Sequence, residues 1–134
     1  FYNAGTTIQM QATPGAGSCL AGWQGVVSVI DTTLQLTVNQ SYAVTAVFQT
    51  GSVTAPTGIS MPAQGGNVSL PVTATSGCIW KATETANWLS FRSATSGTQS
   101  ASVTVRADQN RTGSTRSTVI LVNNIPVTIS QPSR

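Results

Sequence analysis

Alternation of polar and apolar positions dominates the chain. Residues 7–12, Thr7-Ile8-Gln9-Met10-Gln11-Ala12, alternate at period two and run into Pro14-Gly15-Ala16-Gly17, which predicts a half-buried strand closed by a turn. Residues 19–25 read as a short second strand, and Leu34, Leu36 and Val38 share one face of a third. After the turn Asn39-Gln40-Ser41, Tyr42, Val44, Ala46 and Phe48 alternate through a fourth strand that ends near Thr50. Small residues fill 51–58, the composition of an interdomain linker. Beyond it Val68, Leu70 and Val72 alternate with polar residues, 78–82 and 88–92 form two short strands, and 101–107 alternate again. Residues 118–122, a turn at Asn123-Asn124 and residues 125–129 predict a terminal hairpin. Only 82–89 competes for a helix, and Thr83, Thr85 and Asn87 oppose it.

The expected organisation is all-β: a small β-grasp-like unit at 1–50, a linker at 51–58, and an immunoglobulin-like sandwich of about seven short strands at 59–134. The halves are dissimilar, so the chain is not a tandem repeat. A unit of about 50 residues has little volume for its surface. The first half is therefore expected to lean on its neighbour, on a disulfide, or on another subunit.

Composition narrows the chemistry. The 134 residues include 37 Ser and Thr and 14 Val, but only nine charged side chains and no histidine. Ser-His-Asp and Cys-His nucleophile systems and His-bearing zinc sites are excluded within the chain, because each needs an imidazole. The net charge of +3 arises at low charge density and gives little reason to expect nucleic acid as a partner. Its distribution is uneven. Asp31 is the one charge in residues 1–50, whereas Lys81, Arg92, Arg106, Arg111, Arg116 and Arg134 follow residue 80, opposed by Glu84 and Asp108. The arginines read as solvated edge-strand charges that discourage sheet-to-sheet aggregation, in preference to an anionic docking patch. No apolar run is long enough for a membrane helix and no charged leader opens the chain, so membrane insertion is not expected. Phe1 in place of Met reads as a processing or excision boundary, but Tyr2-Asn3-Ala4-Gly5-Thr6 does not continue as the apolar helix of a type IV pilin.

Cys19 and Cys78 are too few and too far apart for a zinc knuckle or a CxxC redox pair. One disulfide, two free thiols and links between subunits all remain open. In an exported chain a Cys19–Cys78 bridge would close a loop of about 60 residues, worth about 4 kcal/mol.

Two resemblances sharpen the outline. Gly5-Thr6-Thr7, Ala12-Thr13-Pro14, Gly17 with Leu20, Gly22-Trp23 and the closing Tyr42-x-Val44-x-Ala46-x-Phe48 resemble the divergent repeat related to the internalin B-repeat, a module of bacterial surface proteins. That likeness spans 5–48 and implies a stalk, spacer or adhesive unit without catalytic residues. From 59 to 131 the chain resembles the BACON domain, through Gly77-Cys78-Ile79-Trp80, Trp88-Leu89-Ser90, Gly97, Val103-x-Val105, Asn110 with Arg116-Ser117, and Val127-Thr128-Ile129-Ser130-Gln131. This implies an immunoglobulin-like sandwich with a suspected carbohydrate association. Arg111, in the run Asp108-Gln109-Asn110-Arg111-Thr112-Gly113, departs from the family pattern.

No residue constellation points to an enzyme, a cofactor or a metal. A glycosidase needs two carboxyl groups about 5 to 9 Å apart, and Asp31, Glu84 and Asp108 fall in three segments without a shared motif. Asp108-Gln109-Asn110 is a poor calcium loop. A Lys81–Asn cross-link with Glu84 as proton shuttle is disfavoured because Trp80 is expected to face inward, which turns Lys81 outward. Sugar recognition would fall to aromatic faces. Trp23, Trp80 and Trp88 are the candidates, with Tyr2 and Tyr42 behind them, and each Trp weighs more as core than as binding surface. Trp88 has the best claim, with Ser90 and Arg92 on its face and Leu89 and Phe91 on the other; Trp88 and Arg92, with Asn110 from the BACON resemblance, are the candidate carbohydrate-binding set. The sequons at Asn39, Asn67 and Asn110 read as turn residues. The expected function is a non-enzymatic structural or adhesive module at a bacterial surface, with a self-associating fibre subunit as its sharpest form; the alternative is a carbohydrate-binding accessory domain with glycans as partners.

Overall fold

The computed structural model describes residues 2–25 and 31–134. Phe1, the expected processing boundary, lies outside the described residues. The described chain forms no helix, and the segment 82–89 contains strand, irregular backbone and turn. The first four strands are β1 (Thr6–Gln11), β2 (Ser18–Gln24), β3 (Thr33–Val38) and β4 (Thr45–Thr50). They pair in alternation, β1 with β3 and β2 with β4, both antiparallel. The β1–β3 register sets Ile8 opposite Leu36 and Met10 opposite Leu34, so the period-two pattern gathers its apolar side chains on one face.

Nine further strands follow: β5 (Val53–Thr54), β6 (Gly58–Ser60), β7 (Gly66–Ala74), β8 (Trp80–Thr83), β9 (Leu89–Phe91), β10 (Ser96–Gly97), β11 (Ala101–Ala107), β12 (Arg116–Val122) and β13 (Ile125–Gln131). One sheet has the order β10-β8-β12-β13-β6 and the other β5-β7-β11-β9. Their inner faces form one buried cluster, with Leu70, Val72, Val103 and Val105 from the four-stranded sheet against Trp80, Ile120, Val122, Val127 and Ile129 from the five-stranded one. That is an immunoglobulin-like sandwich, held by alternate inward residues of both sheets.

The stretch 51–58, expected as a linker, is stitched to the sandwich. Val53 and Thr54 pair with Ala74 and Thr73 as β5, and β6 pairs in parallel with β13 from Gly58 onward. Thr75 N–H donates to Ser52 O and Thr128 N–H to Thr57 O. Small residues suit this role because a side chain at Gly51 would collide with its surroundings: a Cβ there would lie 2.7 Å from Cys78 Sγ. The terminal hairpin turns at Asn123, whose φ of 53° lies in the left-handed region that Asn tolerates. Its carboxamide accepts Lys81 N–H and donates to Ile79 O, which fastens the turn to the start of β8.

The two halves interpenetrate. The amino-terminal strands have their own cluster, Leu20, Trp23 and Leu34, but its fourth buried member is Ile79, from the residue before β8. Conversely, Cys19 of β2 is buried in the cluster of the sandwich and bonded to Cys78. Beside the disulfide, Ile79 N–H donates to Leu20 O at 2.9 Å and Gln49 Nε2 donates to Ser76 O. Lys81 Nζ reaches Asp31 Oδ2 at 3.0 Å. The support that a small first half requires is supplied by these ties.

Candidate functional site

The three tryptophans divide by position. Trp80 is sealed in the sandwich, packed on Gly97 of the neighbouring β10, and its indole N–H donates to Gln99 O. Trp23 is buried in the first half and donates to Asp31 O. Trp88 is half-buried at the turn before β9, packed against the sandwich core. The Arg116 guanidinium lies 4.2 Å from the centre of its ring. Because Arg116 belongs to β12 of the opposite sheet, Trp88 turns toward that sheet and does not share a face with Arg92. A cation already stacked on the ring occupies the face a sugar would need.

Asn110 is fully buried. Its Nδ2 donates toward the carbonyls of Ser114, Gln131 and Pro132, while Oδ1 accepts the N–H and hydroxyl of Thr112. Both ends of the carboxamide are used within the protein, so Asn110 organises the end of the sandwich and is not a surface contact. The acceptor nitrogen of the sequon there is likewise shut off from solvent. Gln131 completes this network. It is buried at the inward register of β13, donates from Nε2 to Pro62 O and Asp108 O, and accepts from Arg116 Nε at 2.8 Å. Arg116 also donates to Asp108 O. Trp88 and Asn110 are thus joined through Arg116 and Gln131, while Arg92 stands apart, exposed just beyond β9. The signal for Gln131 was a polar residue in an inward series, Val127-x-Ile129-x-Gln131.

The carboxylates stay separate. Asp31 is tied to Lys81; Asp108 is exposed after β11; Glu84, between β8 and β9, has its Oε2 buried without a hydrogen-bond partner among the described residues. Burial by itself would raise the Asp31 pKa, but the hydrogen bond from Lys81, donation from the backbone of Thr33, and the Lys81 charge outweigh it and hold the carboxyl below its ordinary value of 3.8. The pair engages Lys81 Nζ with a carboxylate and not with the asparagine side chain that a cross-link would require. Among the described residues no group of three His, Cys, Asp or Glu side chains could hold a metal ion.

Two concavities stand out among the described residues. A groove of about 700 Å³ is lined by Tyr2, Tyr42, Ile8, Leu36, Val38 and Asn39, with Tyr42 Oη donating to Asn39 Oδ1. A cleft of about 230 Å³ lies at the seam between the halves, beside Cys19, Leu20, Ile79 and Asn123.

The fold and its side chains define an all-β module built around an immunoglobulin-like sandwich. Residues 1–52 match the family model of the divergent InlB B-repeat domain, and residues 79–132 match that of BACON, described as "Putative binding domain, N-terminal". Both resemblances read from the sequence are borne out, in the same order. Domains of these two kinds occur in bacterial surface or secreted proteins and are typically non-catalytic. No curated protein matches the chain. Among solved structures, a Bacteroides ovatus GH5 xyloglucanase in complex with a XXXG heptasaccharide is similar at a TM-score of 0.54 and 16% identity, covering 62% of this chain and 19% of that one. At that identity the likeness concerns the fold alone, and the chain spans about a fifth of the enzyme. Among the described residues no helix is long and apolar enough to cross a membrane.

Proposed function

We propose that the chain is a stiff, non-catalytic spacer of a bacterial surface or secreted protein, in which a B-repeat-like unit at 1–50 and a BACON-like sandwich at 59–134 move as one body. The observation that carries this reading is the tie between the halves: a buried disulfide, a backbone hydrogen bond beside it, and Ile79 seated in the other half's core. Joined domains move relative to one another by default unless their interface is extensive and apolar. A covalent bond with exchanged core residues removes that freedom. A fibre form would have to rest on the first half, because the sandwich edges β5, β6, β9 and β10 are each two or three residues long and offer little template for strand addition, whereas the two-stranded sheets β1-β3 and β2-β4 are built from strands of six or seven residues. Amide ¹⁵N relaxation on the oxidised chain tests the spacer: one rotational correlation time across both halves is expected, and two distinct values refute it.

Glycan association is a second reading, favoured by the BACON match and by a structural neighbour in complex with a heptasaccharide. With Trp88 capped and Asn110 internal, such contact would use the outward face of the four-stranded sheet, where Arg92 lies.

A further inference from the structure

The arginines were expected to guard edge strands. Arg106 does not: it lies on β11, which runs between β7 and β9 inside its sheet. Its direct cross-strand partners are Asn67 and Ser90. Val103, Val105 and Ala107 are buried on the inner side, so Arg106 projects from the outer one and is exposed. Arg92 continues the ladder past β9. Its N–H donates to Thr104 O at 2.8 Å, and Ser93 Oγ accepts Thr104 N–H at the same distance, which fixes the Arg92 backbone against the middle of β11. Leu89 and Phe91 pack toward the core, so alternation puts Arg92 on the outer side, diagonal to Arg106. Diagonal neighbours on one face lie about 7 to 8 Å apart.

Around the two guanidinium groups the face offers hydroxyls and an amide: Asn67, Ser69, Ser90 and Thr104. The acid adjoining it is Asp108, exposed beyond the end of β11, and it forms no ion pair with either arginine; the ion pair among the described residues is Lys81–Asp31. We propose that this face binds an acidic polysaccharide, its carboxylates taken in pairs by Arg92 and Arg106 and its hydroxyls by the surrounding Asn, Ser and Thr. The proposal rests on the glycan reading above and gives it a ligand class. A planar guanidinium matches a planar carboxylate through two parallel N–H···O bonds. A polymer that repeats its carboxylate can engage both arginines at once. A protein partner would want an apolar centre to the contact, and only Pro71 at the β7 margin is apolar there. Single-stranded nucleic acid would want aromatic faces for stacking, and the face has none.

Affinity electrophoresis of the oxidised full chain tests the proposal, in gels containing polygalacturonate, a sulfated galactan or neutral xyloglucan at low salt. Wild type is expected to be retarded by polygalacturonate. Arg92→Ser with Arg106→Ser is expected to weaken that retardation about tenfold, in line with a few-fold per exposed pair. Arg111→Ser with Arg134→Ser removes the same charge elsewhere and is expected to migrate as wild type does. Equal weakening by both double variants would reduce the effect to net charge and overturn the site, and equal retardation by the sulfated galactan would overturn the carboxylate assignment. Retardation by xyloglucan alone would overturn the proposal but leave glycan association standing; retardation by none of the three would remove both. Melting curves of the variants control for the fold.

Discussion

Breaking the Cys19–Cys78 bond should loosen one half of the molecule and spare the other. The bond spans a sequence separation of 59 residues, for which the chain-entropy relation gives about 4 kcal/mol. Replacing both cysteines by Ala adds a small cavity cost, because the two are 4% and 0% exposed. At 0.05 to 0.15 kcal/mol per residue, a unit of about 50 residues holds roughly 2.5 to 7.5 kcal/mol in total. The loss therefore removes most of the stability of the first half, whereas the sandwich keeps the other fourteen buried residues of its core cluster. Hydrogen exchange read by mass spectrometry on Cys19→Ala with Cys78→Ala is the direct assay. Protection in β1 to β4 is expected to fall by a factor on the order of a thousand, the equivalent of about 4 kcal/mol. Protection in β7, β11, β12 and β13 should stay within about tenfold. If the amino-terminal strands keep their protection, or if all strands lose it together, stability is not divided between the halves in this way.

Three further perturbations probe the same architecture. Ile79→Ala empties a position in the first half's core from a residue belonging to the sandwich; it should cost about 2 to 5 kcal/mol by urea denaturation and shift the Trp23 indole resonance, and a loss below about 0.5 kcal/mol would show that the exchange of core residues is superficial. Gln131→Ala strips partners from Pro62 O, Asp108 O and Arg116, so a loss of about 2 to 4 kcal/mol is expected in the same assay, and a neutral outcome would mean that water satisfies them. Asp31 has a lowered folded-state pKa, so its pair with Lys81 stabilises above the ordinary value of 3.8 and the contribution is lost as pH falls through the lower folded value. The pair is part-exposed, which limits it to under about 1 kcal/mol after screening. Wild type should thus exceed Asp31→Asn slightly at pH 7 and converge with it well below pH 4; a gap that persists at pH 2 would assign the effect to something other than ionisation.

What was legible in the sequence follows from the range of the interactions concerned. Period-two alternation is local, and it located the long strands β1, β3, β7, β11, β12 and β13, together with the turn at Asn123. The segment 51–58 misled because its small residues look alike in a free linker and in two-residue edge strands; only the positions of Thr73, Ala74 and Thr128, distant in sequence, distinguish the two. Trp88 misled in a related way. It lies one residue before β9, where strand alternation no longer holds, and its ring meets Arg116 of another sheet. The arginines make the general point, since whether a cation guards an edge or marks a face depends on strand order, and strand order is set by pairings across the whole chain. Lys81 is spent on Asp31 across the seam, Arg116 on Gln131 and the Trp88 ring, and the Arg111 Nε on Gln109. Among the described residues the side chains of Arg92, Arg106 and Arg134 have no such tie, and the first two share one outward face. In a chain with nine charges, two cations left facing the same way amid hydroxyls and an amide are better explained by what they meet than by what they repel.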